Sequence, residues 1–228
     1  MIKGTPAEAM AFSVYEWMLN RYVARSLSPS GYYTIDPISE DVPTFEMWLE
    51  GTSPSERDQI RGRYETKVTT ELVSRIDKET EFWEVGGGWG YHSLALAPLL
   101  SHATAFEANE QRAEQIILSA ELNGYKNVDV VQGLVGNDIS LDNHSSPKPP
   151  DIILLDVEGQ ELDVLEDSPE TLAAEPLWVV EIHEPGVPGI HHGVSAESVF
   201  DIFEEHGYKV SKLSQRKPGN FHVIAELN

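Results

Sequence analysis

The sequence predicts an α/β protein built on a mostly parallel sheet, and three observations predict it. From residue 80 onward, short runs rich in β-branched and aromatic residues alternate with helical patterns, as strands joined by crossover helices do. The first of those strands runs directly into a cluster of glycines that opens a helix, Phe82-Trp83-Glu84-Val85-Gly86-Gly87-Gly88-Trp89-Gly90. The last two strand patterns have no helix between them, only Pro218-Gly219-Asn220, and read as an antiparallel hairpin.

The expected strands are Glu81–Val85, Ala103–Glu107, Val128–Gln132, Ile152–Asp156, Leu177–Ile182, Lys209–Leu213 and Phe221–Glu226. Helices are expected at 91–101, 110–123, 160–168 and 195–206, the last closed by Gly207. Asn143 to Pro150 is polar and proline-rich, a surface loop. Ahead of this region, Pro6 and the spacing of Met10, Val14, Trp17, Met18 and Tyr22 predict a helix over 6–26. Ser26 to about Glu56 reads as loop with a short helical piece around Phe45–Leu49. Ser53 or Ser55 then caps a long helix from Glu56 to Arg75, with Ile60, Tyr64, Val68 and Leu72 on one face. The expected organisation is a helical extension over 1–76 followed by the sheet domain over 77–228, because the extension's apolar stripes need a surface to cover.

Composition excludes several classes. With no cysteine in 228 residues there is no disulfide scaffold, no thiolate zinc site and no cysteine nucleophile. The 38 acidic residues against 16 basic ones give a net charge of −22, and they run from Glu8 to Glu226 rather than forming a tail. Such a surface repels polyanions at ordinary ionic strength, and Arg57, Arg61 and Arg63 make only a weak basic cluster. No Asn/Asp-Pro-Pro-aromatic tetrapeptide follows the fourth strand, so no nucleic-acid partner is expected. The low lysine content points to a cytoplasmic protein adapted to concentrated salt, where the screening length falls to about 3 Å at 1 M, the alternative being a merely acidic mesophilic enzyme. The opening Met1-Ile2-Lys3-Gly4 does not lead into a secretory pattern, and no run approaches the roughly 18 apolar residues of a membrane span.

The glycine cluster carries the chemistry. Glycines at a strand-to-helix turn let the backbone bend sharply and let a ligand approach closer than a Cβ permits. The dinucleotide fingerprint G-x-G-x-x-G fails: counted from Gly86 its last position is Tyr91, and counted from Gly88 it is Ser93. The sequence instead satisfies acid-x-G-x-G-x-G through Glu84, Gly86, Gly88 and Gly90. A second acid, Glu107, ends the next strand 21 residues after Gly86, where a carboxylate can accept ribose hydroxyls of NAD or of S-adenosylmethionine alike.

Residues 64–182 resemble the FkbM-type class I S-adenosylmethionine-dependent methyltransferases. The matching blocks are Tyr64-Glu65, Glu84–Gly90, Phe106-Glu107-Ala108-Asn109, Asn123 through Asn127-Val128, and Asp156-Val157-Glu158-Gly159-Gln160-Glu161, of which the last is the specific part. Glu84 and Gly87-Gly88 stand where that family usually has Asp and Ala-Asn. The resemblance implies a Rossmann-like class I methyltransferase fold with strand order 3-2-1-4-5-7-6, and methyl transfer usually to oxygen. By position, Gly86, Gly88 and Gly90 would border the methionine moiety, with Glu84 near its amino group. Glu107 would hold the ribose beside Ala108 and Asn109, Gly133 and Leu134 would flank the adenine, and Asp156 would also reach the cofactor. Tyr64 and Glu65 would descend over it from the preceding helix.

Since the sulfonium already activates the methyl group, the protein's task is positioning and removal of the acceptor's proton. Candidates for that proton are Asp156 and Glu158 at the end of the fourth strand and His183 at the end of the fifth. The alternative for the carboxylates is that Glu158 caps the following helix and Asp156 bonds only backbone or cofactor. His183, Glu184, His191, His192 and Asp156 are a conceivable metal set, but their spacing is irregular and no metal is expected. The expected function is O-methylation of a hydroxyl on a small molecule, saccharide or lipid-linked acceptor, with S-adenosylmethionine as cofactor. A nicotinamide-dependent oxidoreductase on the same sheet and a non-catalytic binding module are the alternatives. Trp17, Tyr22, Trp48, Trp83 and Trp178 read as packing, and Arg57, Arg61 and Arg63 as a solvated helix face.

Overall fold

The structure, a computed structural model, describes residues 30–51, 53–146, 148–187 and 192–227. The expected helix over 6–26 lies outside the described residues. Two strands, β1 (Gly31–Ile35) and β2 (Phe45–Leu49), pair antiparallel, and helices α1 (Pro54–Ile60) and α2 (Thr66–Arg75) follow. Then come β3 (Glu81–Val85), α3 (Tyr91–Leu96), β4 (His102–Glu107), α4 (Glu110–Asn123), β5 (Val128–Gln132) and β6 (Ile152–Leu155). The chain continues through α5 (Glu161–Glu166), α6 (Pro169–Ala173), β7 (Leu177–His183), α7 (Ala196–Glu205), β8 (Lys209–Lys217) and β9 (Asn220–Glu226).

β3 to β9 form one seven-stranded sheet in the order β5-β4-β3-β6-β7-β9-β8. Numbered within the sheet, that is 3-2-1-4-5-7-6, the order the sequence resemblance implied. The pairs from β5 through β7 are parallel and β9 is antiparallel to both neighbours, so the sheet ends in the expected hairpin. Alternate residues of the central strands bury on opposite faces. Trp83, Val85, Ile153, Leu155 and Trp178 pack with Val164, Leu165 and Phe203 of α5 and α7. Phe82, Leu154 and Val179 pack on the other face with Val68 and Leu72 of α2. Helices on both faces explain why β6 is a continuous apolar run and why every residue of β3 is buried.

Four local expectations are corrected. Phe45–Leu49 is a strand, not a helical piece: Phe45, Met47 and Leu49 alternate into a core, a period of two. Its edge docks on α4, with Glu46 N–H donating to Asn123 Oδ1 at 2.8 Å and Trp48 N–H to Ser119 Oγ at 3.2 Å. The single helix over Glu56–Arg75 is two helices. Gly62 turns the chain at φ +59°, where a Cβ would stand 2.6 Å from the Asp36 carbonyl oxygen, so neither the conformation nor the space admits helix continuation. The capping expectation is met by Ser53, which forms a capping box with Glu56. The helix expected over 91–101 stops at Leu96 and tightens into a 3-10 turn, Ala97–Leu99, around Pro98, which has no N–H to give. The helix expected over 160–168 is α5 alone, and Pro169 starts α6, which the sequence reading missed.

The glycine turn after β3 is fixed by backbone contacts. Gly86 and Gly87 N–H both donate to the Phe106 carbonyl at 2.9 Å, and Asp156 N–H donates to the Val85 carbonyl at 2.9 Å. A Cβ on Gly86 would lie 1.8 Å from the Asp156 carbonyl oxygen, whereas at Gly88 it would meet nothing within 4 Å. Gly86→Ala is therefore expected to prevent folding or to destabilise by more than about 3 kcal/mol, and Gly88→Ala to cost only the left-handed backbone penalty of about 1–2 kcal/mol. Urea unfolding of the two variants checks this contrast.

Candidate active site

The C-terminal ends of β3, β4 and β6 border a cavity of about 460 Å³. The strand–turn–helix after β3 supplies Gly86, Gly87 and Gly88, β4 supplies Glu107 and Ala108, and the turn after β5 supplies Gly133 and Leu134. The segment after β6 adds Asp156 and Glu158, and Glu84 lies at the floor. The break between α1 and α2 frees Tyr64 and Glu65 from helical geometry, so they reach the cavity from a turn rather than from the helix expected.

Glu107 is held at both oxygens. Oε2 accepts from Gly88 N–H and Oε1 from Asn109 N–H, each at 2.7 Å. This pins the carboxylate across the mouth of the glycine turn, and each oxygen keeps lone-pair capacity for a further donor. Two predicted residues stand beside the cavity rather than in its wall. Asn109 caps α4 by accepting from Arg112 N–H at 3.0 Å. Gly90 faces α4, where a Cβ would come within 2.8 Å of Ile116 Cγ2.

Glu84 is buried and accepts at Oε2 from Ser93 N–H at 2.9 Å and from the Ser93 hydroxyl, with Oε1 3.4 Å from His92 Nδ1. The His92 imidazole is driven down by burial but up more strongly by Glu84 and Glu65, and its pKa is raised. Tyr64 packs edge-on to Tyr91, with ring centroids 5.3 Å apart, and the Arg216 guanidinium lies 5.5 Å from its ring. Burial, then the charges of Glu65 and Asp156, push the Tyr64 phenol well up, so it stays neutral.

Arg216, from β8, was not foreseen and is central. Its Nη1 donates to Glu65 Oε1 at 2.7 Å and to Glu181 Oε1 at 3.0 Å. Glu65 also lies 3.6 Å from His222 Nε2. Burial pushes the Glu65 carboxyl up, but His222, His92 and Arg216 outweigh that and hold it at about 2. No local pattern marks Arg216, because its place is set by the pairing of β8 with β9.

Joined to this cluster through Glu181, His183 is buried with Nδ1 2.6 Å from Glu161 Oε1. Glu161 is fully buried and also accepts from Gly159 N–H at 3.0 Å, so its oxygen is fixed and orients the ring. His183 Nε2 faces Glu158 Oε2 at 3.4 Å, Glu181 Oε1 at 3.7 Å and Asp156 Oδ1 at 3.8 Å. The structure thus brings all the predicted proton acceptors together, with Asp156 and Glu158 in the cavity wall and His183 behind them. Glu158 is 73% exposed and does not cap a helix, since the cap position of α5 is Gln160. Burial and the charges of Glu181, Glu65 and Glu158 raise the Asp156 carboxyl well above its usual range. For His183, burial lowers the imidazole but the Glu161 bond and the charges of Glu181 and Glu158 raise it more. Of the conceivable metal set, His191 lies outside the described residues and His192 is exposed.

A seven-stranded sheet of this order with its cavity at the parallel strands' C-terminal edge defines a class I methyltransferase fold. The model of the methyltransferase FkbM domain matches residues 54–210, and the chain belongs to that family. Among solved structures, precorrin-6y C5,15-methyltransferase from Geobacter metallireducens is 18% identical with a TM-score of 0.52, over 73% of this chain and 89% of that one. The N-methyltransferase NodS from Bradyrhizobium japonicum is 14% identical at 0.53, over 77% and 98%. Trm5b from Pyrococcus abyssi is 12% identical at 0.53, over 95% and 69%. No curated protein matches the sequence. Among the described residues no helix is long and apolar enough to cross a membrane.

Glu65 gives a pH-dependent test. Its carboxyl is depressed in the folded protein to about 2 from 4.5, so the stability it contributes is present above pH 4.5 and is lost as pH falls toward 2. Glu65→Ala is expected to lower unfolding free energy at pH 7 by roughly 3 kcal/mol, because it leaves Arg216 and His222 short of a partner. The gap to the wild type should narrow steadily below pH 4.5 in urea titrations.

Proposed function

We propose that the chain transfers the methyl group of S-adenosylmethionine to a hydroxyl of a small-molecule, saccharide or lipid-linked acceptor. The observation that carries this reading is the clamped Glu107 carboxylate facing a glycine turn whose middle member, Gly88, has open space where a Cβ would stand. A carboxylate so placed accepts ribose hydroxyls, and a backbone without side chains admits the cofactor's length along the turn. The acidic lining, with Glu84, Asp156 and Glu158, suits a cationic sulfonium. The bound cofactor supplies an activated methyl group.

Asp156 and Glu158 line the cavity wall beside His183, where they orient the acceptor hydroxyl and take up its proton together with His183. Glu161 fixes the ring of His183 through Nδ1 and so sets which nitrogen faces the carboxylates. Tyr64 and Glu65 cover the cavity, held by Arg216, and limit water there. The nicotinamide alternative has less support, since the side chain at the last fingerprint position, Tyr91, is 2% exposed and packs against Phe45 and Tyr64.

Calorimetric titration with S-adenosylhomocysteine tests the cofactor. Glu107→Ala is expected to weaken binding by about tenfold or more, the loss of charge-assisted hydrogen bonds, and to lower the melting temperature as well, since the Gly88 and Asn109 N–H groups lose their acceptor. Stabilisation by NAD but not by S-adenosylhomocysteine would overturn the reading. Release of S-adenosylhomocysteine with hydroxylated acceptors, and not with amines of the same skeleton, is the expected acceptor preference.

A further inference from the structure

We infer that Asp156, Glu158 and His183 together bind a divalent metal ion of the kind that accepts both carboxylate and imidazole ligands. Each residue offers one ligand atom, and these atoms lie within 4.8 Å of one another. His183 Nε2 stands 3.4 Å from Glu158 Oε2 and 3.8 Å from Asp156 Oδ1. These are poor hydrogen-bond distances but good spacings for atoms that share a cation at about 2.0–2.2 Å.

Two further observations point to a ligand. The His183 ring is 2% exposed, and its Nε2 makes no hydrogen bond among the described residues although it is aimed at three carboxylates. Asp156 Oδ1 is likewise buried without a hydrogen-bond partner. Buried polar atoms left in this state are costly unless something else satisfies them. The Glu161 carboxylate on Nδ1 is the outer-shell partner that metal-bound histidines ordinarily have, and it leaves the Nε2 lone pair pointing at the site. Glu158, 73% exposed, gives the ion an entry path and leaves room for water or an acceptor oxygen. Two oxygens and one imidazole nitrogen suit Mn2+ or Zn2+ better than Ca2+.

The binding site stands on this geometry alone; its role rests on the methyl-transfer reading. There, the three side chains act through the ion instead of taking the proton themselves: an acceptor hydroxyl coordinated to the ion loses its proton to water on the open Glu158 side. The freed oxygen pair then forms the bond to the methyl carbon as the carbon–sulfur bond breaks, sulfur keeping that electron pair.

The test uses the full chain after treatment with a chelator, titrated with MnCl2 and followed by the loss of the free-ion paramagnetic resonance signal. The expected result is one tight site, weakened by about tenfold or more in Glu158→Gln, whose exposed side chain can change without unfolding the protein. His183→Asn, folded by circular dichroism, should lose the site as well. No uptake up to about 1 mM, or only weak multiple uptake that Glu158→Gln leaves unchanged, would overturn the inference and leave His183 as an imidazolium paired with its carboxylates. S-adenosylhomocysteine titration in parallel separates the two readings. Cofactor binding without the ion overturns only the metal site, and ion binding without the cofactor overturns only the methyl-transfer reading.

Discussion

The whole site depends on one close approach, that of the glycine turn to the end of the neighbouring strand. Gly86 sits against the Asp156 carbonyl so tightly that no side chain fits, and the same turn is tied to β4 through the Phe106 carbonyl. Three strand ends are thereby fixed within hydrogen-bonding distance of one another. Because side chains alternate along a strand, this backbone arrangement decides that Glu84, Glu107 and Asp156 all border one cavity. Their chemistry follows from that placement.

The second determinant is charge held where water is scarce. Acidic groups from four separate segments meet around the cavity, and the protein manages them unequally. Arg216 and two histidines hold Glu65 strongly ionised. Close by, Asp156 is buried and crowded by Glu181, Glu65 and Glu158, and its proton affinity rises. Within one cluster joined through Glu181, neighbouring carboxylates are therefore held differently, Glu65 ionised and Asp156 disposed to keep a proton.

Most of the sheet was legible because its signals are local. The short buried runs of β3, β6 and β7, the glycine turn and the Ser53 cap each write themselves into a few adjacent residues. Phe45–Leu49 was misread because five residues are too few to separate a period of two from one of 3.6 when both would bury Phe45 and Leu49. The break at Gly62 was missed because Ile60, Tyr64, Val68 and Leu72 keep helical spacing across it. Of the site, the glycine-turn side was readable as a motif, with Gly90 and Asn109 supporting it from behind rather than lining it. Arg216, His222 and His92 were not, since what brings them in is strand pairing and helix docking between distant segments, which leaves no sequence spacing to detect.

The hold of Arg216 on Glu65 spans 151 residues, as does that of Arg75 on Glu226. Both join the segment ahead of the sheet to the hairpin that ends it. A ribosome adding on the order of 5–20 residues per second exposes Glu65 long before the strand that neutralises it exists. During that interval the five parallel strands can assemble, but the roof of the cavity has no cation beneath it. The wall that encloses the reaction is thus among the last parts to form, and a nascent chain acquires its architecture before it acquires its site.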